Sequence, residues 1–545
     1  MRAGVLSGLL VIGMVAGACG DDAGEDGAGG TGGRGGTGGT AGRGGAAGRG
    51  GAAGRGGAAG SAGTAGSAGT SGDGGAAGTQ SPGGAGGGAG SSGSGGKAGA
   101  AGSAGTSGSA GTSGAGGSGG ASGAGGGGGL GSGKTYYVDP ANGSPAGDGS
   151  SQNPWRTLQE VAQAGLIGGT VKASDNVLLR SGYHGDLVLN SGTYAQPITI
   201  AAETGHAPRL RRVQTGAISG IVLRGVSISP AHAATYTKTT IVDIQAASSN
   251  ISIENSELFS IANAGSWTAN DWINTASSGV QVSGNRITVR GNTLRNVRFG
   301  ISVSGQNALV ERNTIDGFSA DGLRGLGDNG TFQYNTVKNC YVSSSQGDDN
   351  HDDGFQSWSN GPGGVGTSEV RGIVLRGNTF INFENASHPF RATMQGIGCF
   401  DGFFTDWVVE NNVVITDHWH GISLYGARNA RVINNTVIDN DTVSPGPPWI
   451  MVTAHKNGTP SEGGVVRNNL ATDYDVSGTN VTQDHNVTVT NLASYFVNAS
   501  NFDVHLRAGS PAIDAGSGTL APSLDRDGQG RPQGAGIDLG AYEFR

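Results

Sequence analysis

From about Ile251 onward, short apolar runs and polar residues recur with a period much longer than one strand or one helical turn. One mark of the repeat is Asn, then usually Thr, then an apolar residue: Asn292-Thr293-Leu294, Asn313-Thr314-Ile315, Asn335-Thr336-Val337, Asn378-Thr379-Phe380, Asn412-Val413-Val414 and Asn435-Thr436-Val437. A second mark is Gly before an apolar residue: Gly279-Val280, Gly300-Ile301, Gly322-Leu323, Gly354-Phe355, Gly396-Ile397 and Gly421-Ile422. Gly279 to Asn292, Gly300 to Asn313 and Gly322 to Asn335 each span 13 positions, and the plain returns take 8 or 9, so one coil takes 21 or 22 residues. That period, with β-branched residues, Gly at corners and Asn able to stack as a ladder, predicts an all-β fold, a right-handed parallel β-helix of three-strand coils. The Leu-x-x-Leu-x-Leu pattern of a leucine-rich horseshoe is absent.

The elements before the repeat fit an opening to such a solenoid. Thr135-Tyr136-Tyr137-Val138 predicts a short strand, and Thr157 caps a predicted helix whose Leu158, Val161 and Ala162 share a face that can close the terminal coil. Asp175 to Gly182 and Pro197 to Ala202 predict the first rungs. Departures from the period are informative. Asn335 to Gly354 takes 19 positions and Asn378 to Gly396 takes 18, so two lengthened connections leave from one corner and bring Asp348 to Asp353 beside His388-Pro389-Phe390-Arg391. Gly354 to Asn378 takes 24 positions and adds Ser359 to Ser368 on the opposite edge. Long loops on an otherwise minimal solenoid are where function is expected.

Alternation places a row of side chains on one outward face: Gln281, Ser302, Arg324, Gln356, Gly398 and Ser423. The residues before each Gly are Ser278, Phe299, Asp321, Asp353, Gln395 and His420, with Trp358 and Tyr425 further along the outward series. Carboxylates therefore stand mid-face with Arg and His beside them and aromatics at the rim. The stretch Gly347-Asp348-Asp349-Asn350-His351-Asp352-Asp353-Gly354-Phe355-Gln356-Ser357-Trp358 is the densest chemistry in the chain. A solvated corner or structural turn needs fewer of these groups. Substrate contacts are expected from Arg324, Gln356, Trp358, His418, His420, Tyr425 and Lys456. His418 and His420, two apart, could also pair on a metal. Arg391 is expected to form a salt bridge with the Asp cluster or to act as a base.

Composition divides the chain. Ala23 to Ser132 is almost entirely Gly, Ala, Ser and Thr and lacks the apolar residues to form a core, so 20–133 reads as a disordered tether ahead of a solenoid at 134–500 and a terminal segment at 501–545. A net charge of −8 and a pI near 5.7 argue against nucleic acid as main partner. Met1-Arg2, the apolar run Val5 to Val15 and Ala16-Gly17-Ala18-Cys19 have the layout of an export signal and are too short to span a membrane. The segment resembles a bacterial lipoprotein signal, with Ala16 where that family favours Leu. The resemblance implies lipidation at Cys19 and an extracytoplasmic, envelope-anchored or secreted monomer that touches membrane only through its lipid; an ordinary secretory signal is the alternative. Cys340 and Cys399 are too few for a disulfide framework and are expected to be buried apolar groups.

Two family resemblances bear on chemistry. Asp352-Asp353-Gly354-Phe355 resembles the calcium-binding turn of family 9 pectate lyases, with Gln356 in place of that family's final Asp. This implies Ca2+ held by Asp321, Asp349, Asp352 and Asp353, neutralising a uronate carboxylate so that its C5 proton can be removed. Asp349-Asn350-His351-Asp352 is similar to the Asp-Pro-His-Asp motif of mannuronan C5-epimerases, with Asn350 for Pro. That implies His351 in proton transfer and Arg324 or Arg391 as neutraliser. The order Asp321, Asp352-Asp353, His420-Gly421 is loosely like polygalacturonase-type inverting hydrolases. Ser510-Pro511-Ala512-Ile513-Asp514-Ala515-Gly516 and Asp525 to Pro532 resemble the C-terminal segment of secreted bacterial β-helix proteins. The expectation is an extracellular lyase on acidic polysaccharide, with catalytic candidates His351, Arg391 and Asp353; an epimerase or a glycan-binding adhesin is the alternative.

Overall fold

The computed structural model describes residues 129–441 and 445–545. The expected export signal with Cys19, and nearly all of the expected tether, lie outside these residues. Parallel strands stack in three ladders around one continuous apolar core. The first ladder runs through Thr240–Ile244, Ser278–Val282, Ile301–Val303, Leu323–Gly325, Asp353–Trp358, Gln395–Asp401, His420–Tyr425, Trp449–Thr453 and Asp473–Val476. The second runs from Ser249–Glu254 through Thr288–Arg290, Leu309–Glu311, Thr331–Gln333 and later coils to Thr482–Asp484. The third includes Thr293–Val297, Thr314–Phe318, Thr336–Cys340, Thr379–Ile381, Val413–Ile415 and Thr436–Ile438.

The inward side chains are the apolar positions of the repeat. Val280, Ile301, Leu323, Phe355, Ile397 and Ile422 are at most 2 % exposed and lie directly above one another. Phe332 and Phe355 meet edge to face at 5.1 Å in the interior. The Asn mark does form a ladder: Asn313 Oδ1 accepts from both the backbone N–H and the side-chain amide of Asn292, each at 3.0 Å. The motif continues through Asn335, Asn378, Asn412 and Asn435 and on to Asn469 and Asn486. It satisfies buried backbone groups at the corner between the second and third ladders.

The N-terminal expectations hold. Thr135–Val138 pairs with Asn176–Leu179, which pairs with Thr199 to Ala202. The helix Leu158–Gln163 is capped by Thr157, whose hydroxyl accepts from the Glu160 N–H, and it buries Leu158 and Val161. Cys340 and Cys399 are buried free thiols. At the other end, Val413, Ile415, Ile438 and Leu470 face outward from the third ladder and are covered by Phe496, Leu506, Leu539, Ala541 and Tyr542 of the terminal segment. That segment is held by Arg531, whose side chain is buried and pairs with Glu543 at 2.5 Å.

Candidate active site

The register of the first ladder places Gln281, Ser302, Arg324, Gln356, Gly398 and Ser423 in one row, as the Gly-apolar mark predicts. Asp353 pairs with Gln395, and His420 with Trp449. This row is the floor of a trough whose near wall is made by the insertions leading into the strands.

The two predicted insertions meet. Tyr341 and Arg391 form an antiparallel bridge, the Val342 N–H donates to the Phe390 carbonyl at 2.6 Å, and the Tyr341 ring stacks on His388 at 4.0 Å. A third insertion, residues 260–277, joins them through a small apolar core of its own: Trp267, Trp272, Ala276 and Val342, with Tyr341 and Phe390 packed on it. Residues 445–448 lie at the same corner, where the Gly446 N–H donates to the Asp417 carbonyl at 2.6 Å. The far wall is the hairpin of Asn360–Gly361 and Gly364–Val365. A Cβ at Gly366 would lie 3.5 Å from His455 Nε2, so the hairpin packs against the later coils.

Within the trough the charges are arranged in pairs. Asp321, Asp348, Asp352 and Asp353 are 1, 2, 6 and 0 % exposed. Arg298 grips Asp348 with both terminal nitrogens, one of them 2.6 Å from Oδ1. The Arg324 Nε donates to Asp321, and its guanidinium lies between aromatic rings, 4.1 Å from the centre of Phe299 and 5.1 Å from that of Trp358. Two guanidiniums thus face four carboxylates. Asp352 and Asp353 each keep a buried oxygen with no hydrogen-bond partner. Burial first, and then the neighbouring carboxylates, push both acids well above the ordinary carboxylate range. Asp321 is raised by burial and restrained by Arg324. The Gln356 amide donates to Asp353 Oδ2 at 3.0 Å.

Further along the floor, His420 Nδ1 lies 2.9 Å from Ser423 Oγ and 3.3 Å from the Trp449 indole nitrogen. Because the indole can only donate, Nδ1 is the acceptor and Nε2 carries the hydrogen of the neutral ring. His418 stacks on His420 at 5.3 Å, and burial with the adjacent imidazoles drives it down to about 3, so it is neutral. One of those imidazoles is His351, which is exposed on the bulge. Phe400 stands between His420 at 4.7 Å and Tyr425 at 5.2 Å, and Lys456 pairs with Asp401 at 3.3 Å.

Several expectations change. Arg391 does not pair with the Asp cluster: Arg298 and Arg324 do, and the Arg391 guanidinium lies 5.1 Å from the Phe383 ring centre. Trp358 clamps Arg324 rather than standing free at the rim. The expected calcium ligands do not converge. Asp321 accepts from Arg324, the Asn350 amide and the Asp353 N–H, while Asp349 is exposed on the turn. Among the described residues no group of three or more His, Cys, Asp or Glu side chains is arranged to hold a metal, the His418 and His420 pair included. Arg298, Phe400 and Trp449 are the residues that sequence reasoning passed over. Arg298 had a signal, because it stands two places before Gly300 as Asp352 stands two places before Gly354.

No curated protein matches the sequence. Solved structures that resemble it include pectate lyase Pel9A, with 17 % identity over 76 % of this chain and 98 % of that one and a TM-score of 0.34. A rhamnogalacturonan lyase has 14 % identity over 67 % and 91 %, with a TM-score of 0.36. XylC in complex with xylose has 9 % over 75 % and 99 %, with a TM-score of 0.44. Residues 278–459 match the family model described as a right handed beta helix region, and with the stacked ladders this makes the chain a right-handed parallel β-helix protein.

Proposed function

We propose that the protein is an extracytoplasmic polysaccharide lyase that cleaves a uronate-containing chain by β-elimination. The observation that carries the reading is the meeting of two insertions at one trough, one bearing the exposed imidazole of His351 and the other the guanidinium of Arg391. The cations on the floor are already engaged, Arg298 with Asp348, Arg324 with Asp321 and Lys456 with Asp401. Arg391 is then the guanidinium of this wall left to meet a substrate carboxylate. Neutralising that carboxylate acidifies the adjacent C5 hydrogen; His351 takes the proton, the C4–C5 double bond forms, and the C4–O bond breaks with its electron pair leaving on oxygen. Phe400, Tyr425 and Trp449 offer ring faces to sugar C–H groups beside His420. No step is assigned to a metal: of the expected ligands, Asp321 is held by Arg324 and Asn350, and Asp349 is exposed on the turn.

The test is incubation of the purified protein with pectate and with alginate. A lyase generates unsaturated ends that absorb in the ultraviolet, and His351→Ala and Arg391→Ala abolish them. Solvent-proton exchange without cleavage would make it an epimerase, and binding with neither would make it a glycan-binding protein. The unpartnered oxygens of Asp352 and Asp353, and the burial that raises their pKa and favours the protonated form, favour a second reading, glycoside hydrolysis with one of them as acid, which would release reducing ends without new absorbance.

A further inference from the structure

We propose that Arg298, on a coil preceding the bulge, is the positioning residue that fixes the backbone on both sides of His351; its catalytic consequence rests on the lyase reading above. The side chain of Arg298 is 13 % exposed and that of Asp348 is 1 % exposed, so the fork between them is shielded from water. Arg298 also donates to the Ser319 carbonyl, which anchors the guanidinium to the coil beneath the bulge. Asp348 Oδ1 in turn accepts the Asn350 N–H at 3.0 Å. The Asn350 side-chain amide donates to Asp321 Oδ1 at 3.1 Å and to the His351 carbonyl at 2.6 Å. Two residues past His351, the Asp353 N–H reaches the same Asp321 oxygen at 3.2 Å. The imidazole is therefore exposed while the chain entering and leaving it is tied to one buried network, held by Arg298 through Asp348 and by Arg324 through Asp321, with Asn350 joining the two halves.

Besides this network, the bulge is held by the Gln346 amide on the Pro389 carbonyl at 3.1 Å and by the Gln395 N–H on the Asp352 carbonyl at 2.8 Å, neither of which touches the Asp348 to Asn350 turn. Ser344, Ser345, Gly347, Asp349 and His351 are exposed, and its apolar anchor, Val342, lies at the other end. A guanidinium is the side chain that can occupy both carboxylate oxygens of Asp348 and a carbonyl at once. Mere charge balance for the acid cluster would require a cation here but not that fork, and lysine separates the two roles.

The experiment compares the full chain with Arg298→Met, Arg298→Lys and Asp348→Asn by hydrogen exchange and by steady-state cleavage of polyuronate. In Arg298→Met, exchange should rise across 343–352 and stay at wild-type levels in the flanking coils, with kcat about 100-fold lower and KM little changed, as expected for a base displaced by about 1 Å. Arg298→Lys should recover only part of either effect, and the Arg298→Met, Asp348→Asn double variant should be no worse than the more damaging single one. Wild-type exchange at 343–352 in Arg298→Met, full recovery in Arg298→Lys, or additive losses would each overturn the proposal. If Arg298→Met does not fold, Asp348→Asn carries the same expectation and the same refutation. If exchange rises as expected but even the wild type cleaves no polyuronate, the positioning stands and the lyase reading falls.

Discussion

Replacing Asn378 by alanine tests the stack on which the trough depends. Asn378 is 0 % exposed, and its Oδ1 accepts from the backbone N–H and the side-chain amide of Asn335, each at 3.0 Å. Its own amide donates to the Phe332 carbonyl at 2.9 Å and to Asn412 Oδ1 at 3.0 Å. Alanine leaves two donors of Asn335 facing a dry interior and takes a donor from each of two oxygens. At about 1–3 kcal/mol per orphaned buried donor, the loss should be about 2–6 kcal/mol. Because a solenoid can open coil by coil, the loss should show first as faster exchange at the coils holding Asn335 and Asn412, and then as a lower denaturation midpoint. Asn486 makes the same kind of bonds at the partly buried end of the ladder, where water can replace them. Asn486→Ala should therefore cost less than half as much. Equal losses at the two sites, or less than about 1 kcal/mol at Asn378, would mean that the asparagines decorate the corner rather than support it.

Two further substitutions probe the floor and the terminal segment. A Cβ on Gly398 would fall 2.1 Å from Asp353 Oδ1 and 2.9 Å from Phe400 Cε2, so Gly398→Ala must push the carboxylate off the strand. It should cut polyuronate turnover about 100-fold while the coils keep wild-type exchange, and undiminished turnover would remove Asp353 from the site. His505 lies 2.6 Å from Asp503 and 3.1 Å from Asp527 through its two ring nitrogens, and these carboxylates raise its pKa. A pKa raised by folding contributes stability that is full below about 6.5, the unfolded value, and is lost as pH rises through the folded value. Melting scans should show the terminal segment weakening over that range in the wild type and not in His505→Gln; parallel curves would refute the link.

The fold was legible because a parallel solenoid writes its geometry into the spacing of Gly and Asn. The row from Gln281 to Ser423 and the meeting of the Tyr341 and Arg391 bulges follow from counting alone. The insertion at 260–277 escaped because the Asn mark begins only at Asn292, leaving nothing upstream to count from. Partnership was the less legible part. A period assigns residues to rows but does not say how far a long side chain reaches, so Arg298, two coils from the bulge, was not seen as the partner of Asp348. The same rule places Trp358 at the rim, although Arg324 on the preceding coil is long enough to lie against it.

Each of the three ladders has an outward face, and their treatment argues for where function lies. The second ladder carries a row of compensated charges, among them Arg290 with Glu311, Arg376 with Glu410 and Arg467 with Asp484. Over the later coils the third is covered by the terminal segment, which buries Leu470 and Ile438. In both, each of these charges faces one of opposite sign, Arg531 with Glu543 included, although Arg290 Nε and Arg531 Nε are buried without a hydrogen-bond partner. The first ladder is not balanced in this way: it takes four carboxylates out of water, supplies two guanidiniums, and leaves oxygens of Asp352 and Asp353 without donors. Burying acids in this way is destabilising, and a stack with dozens of core residues and an eight-member asparagine ladder can bear it. A local conflict that the surrounding structure holds in place, walled by insertions on one side and a hairpin on the other, is the physical signature of a site kept for chemistry rather than for folding.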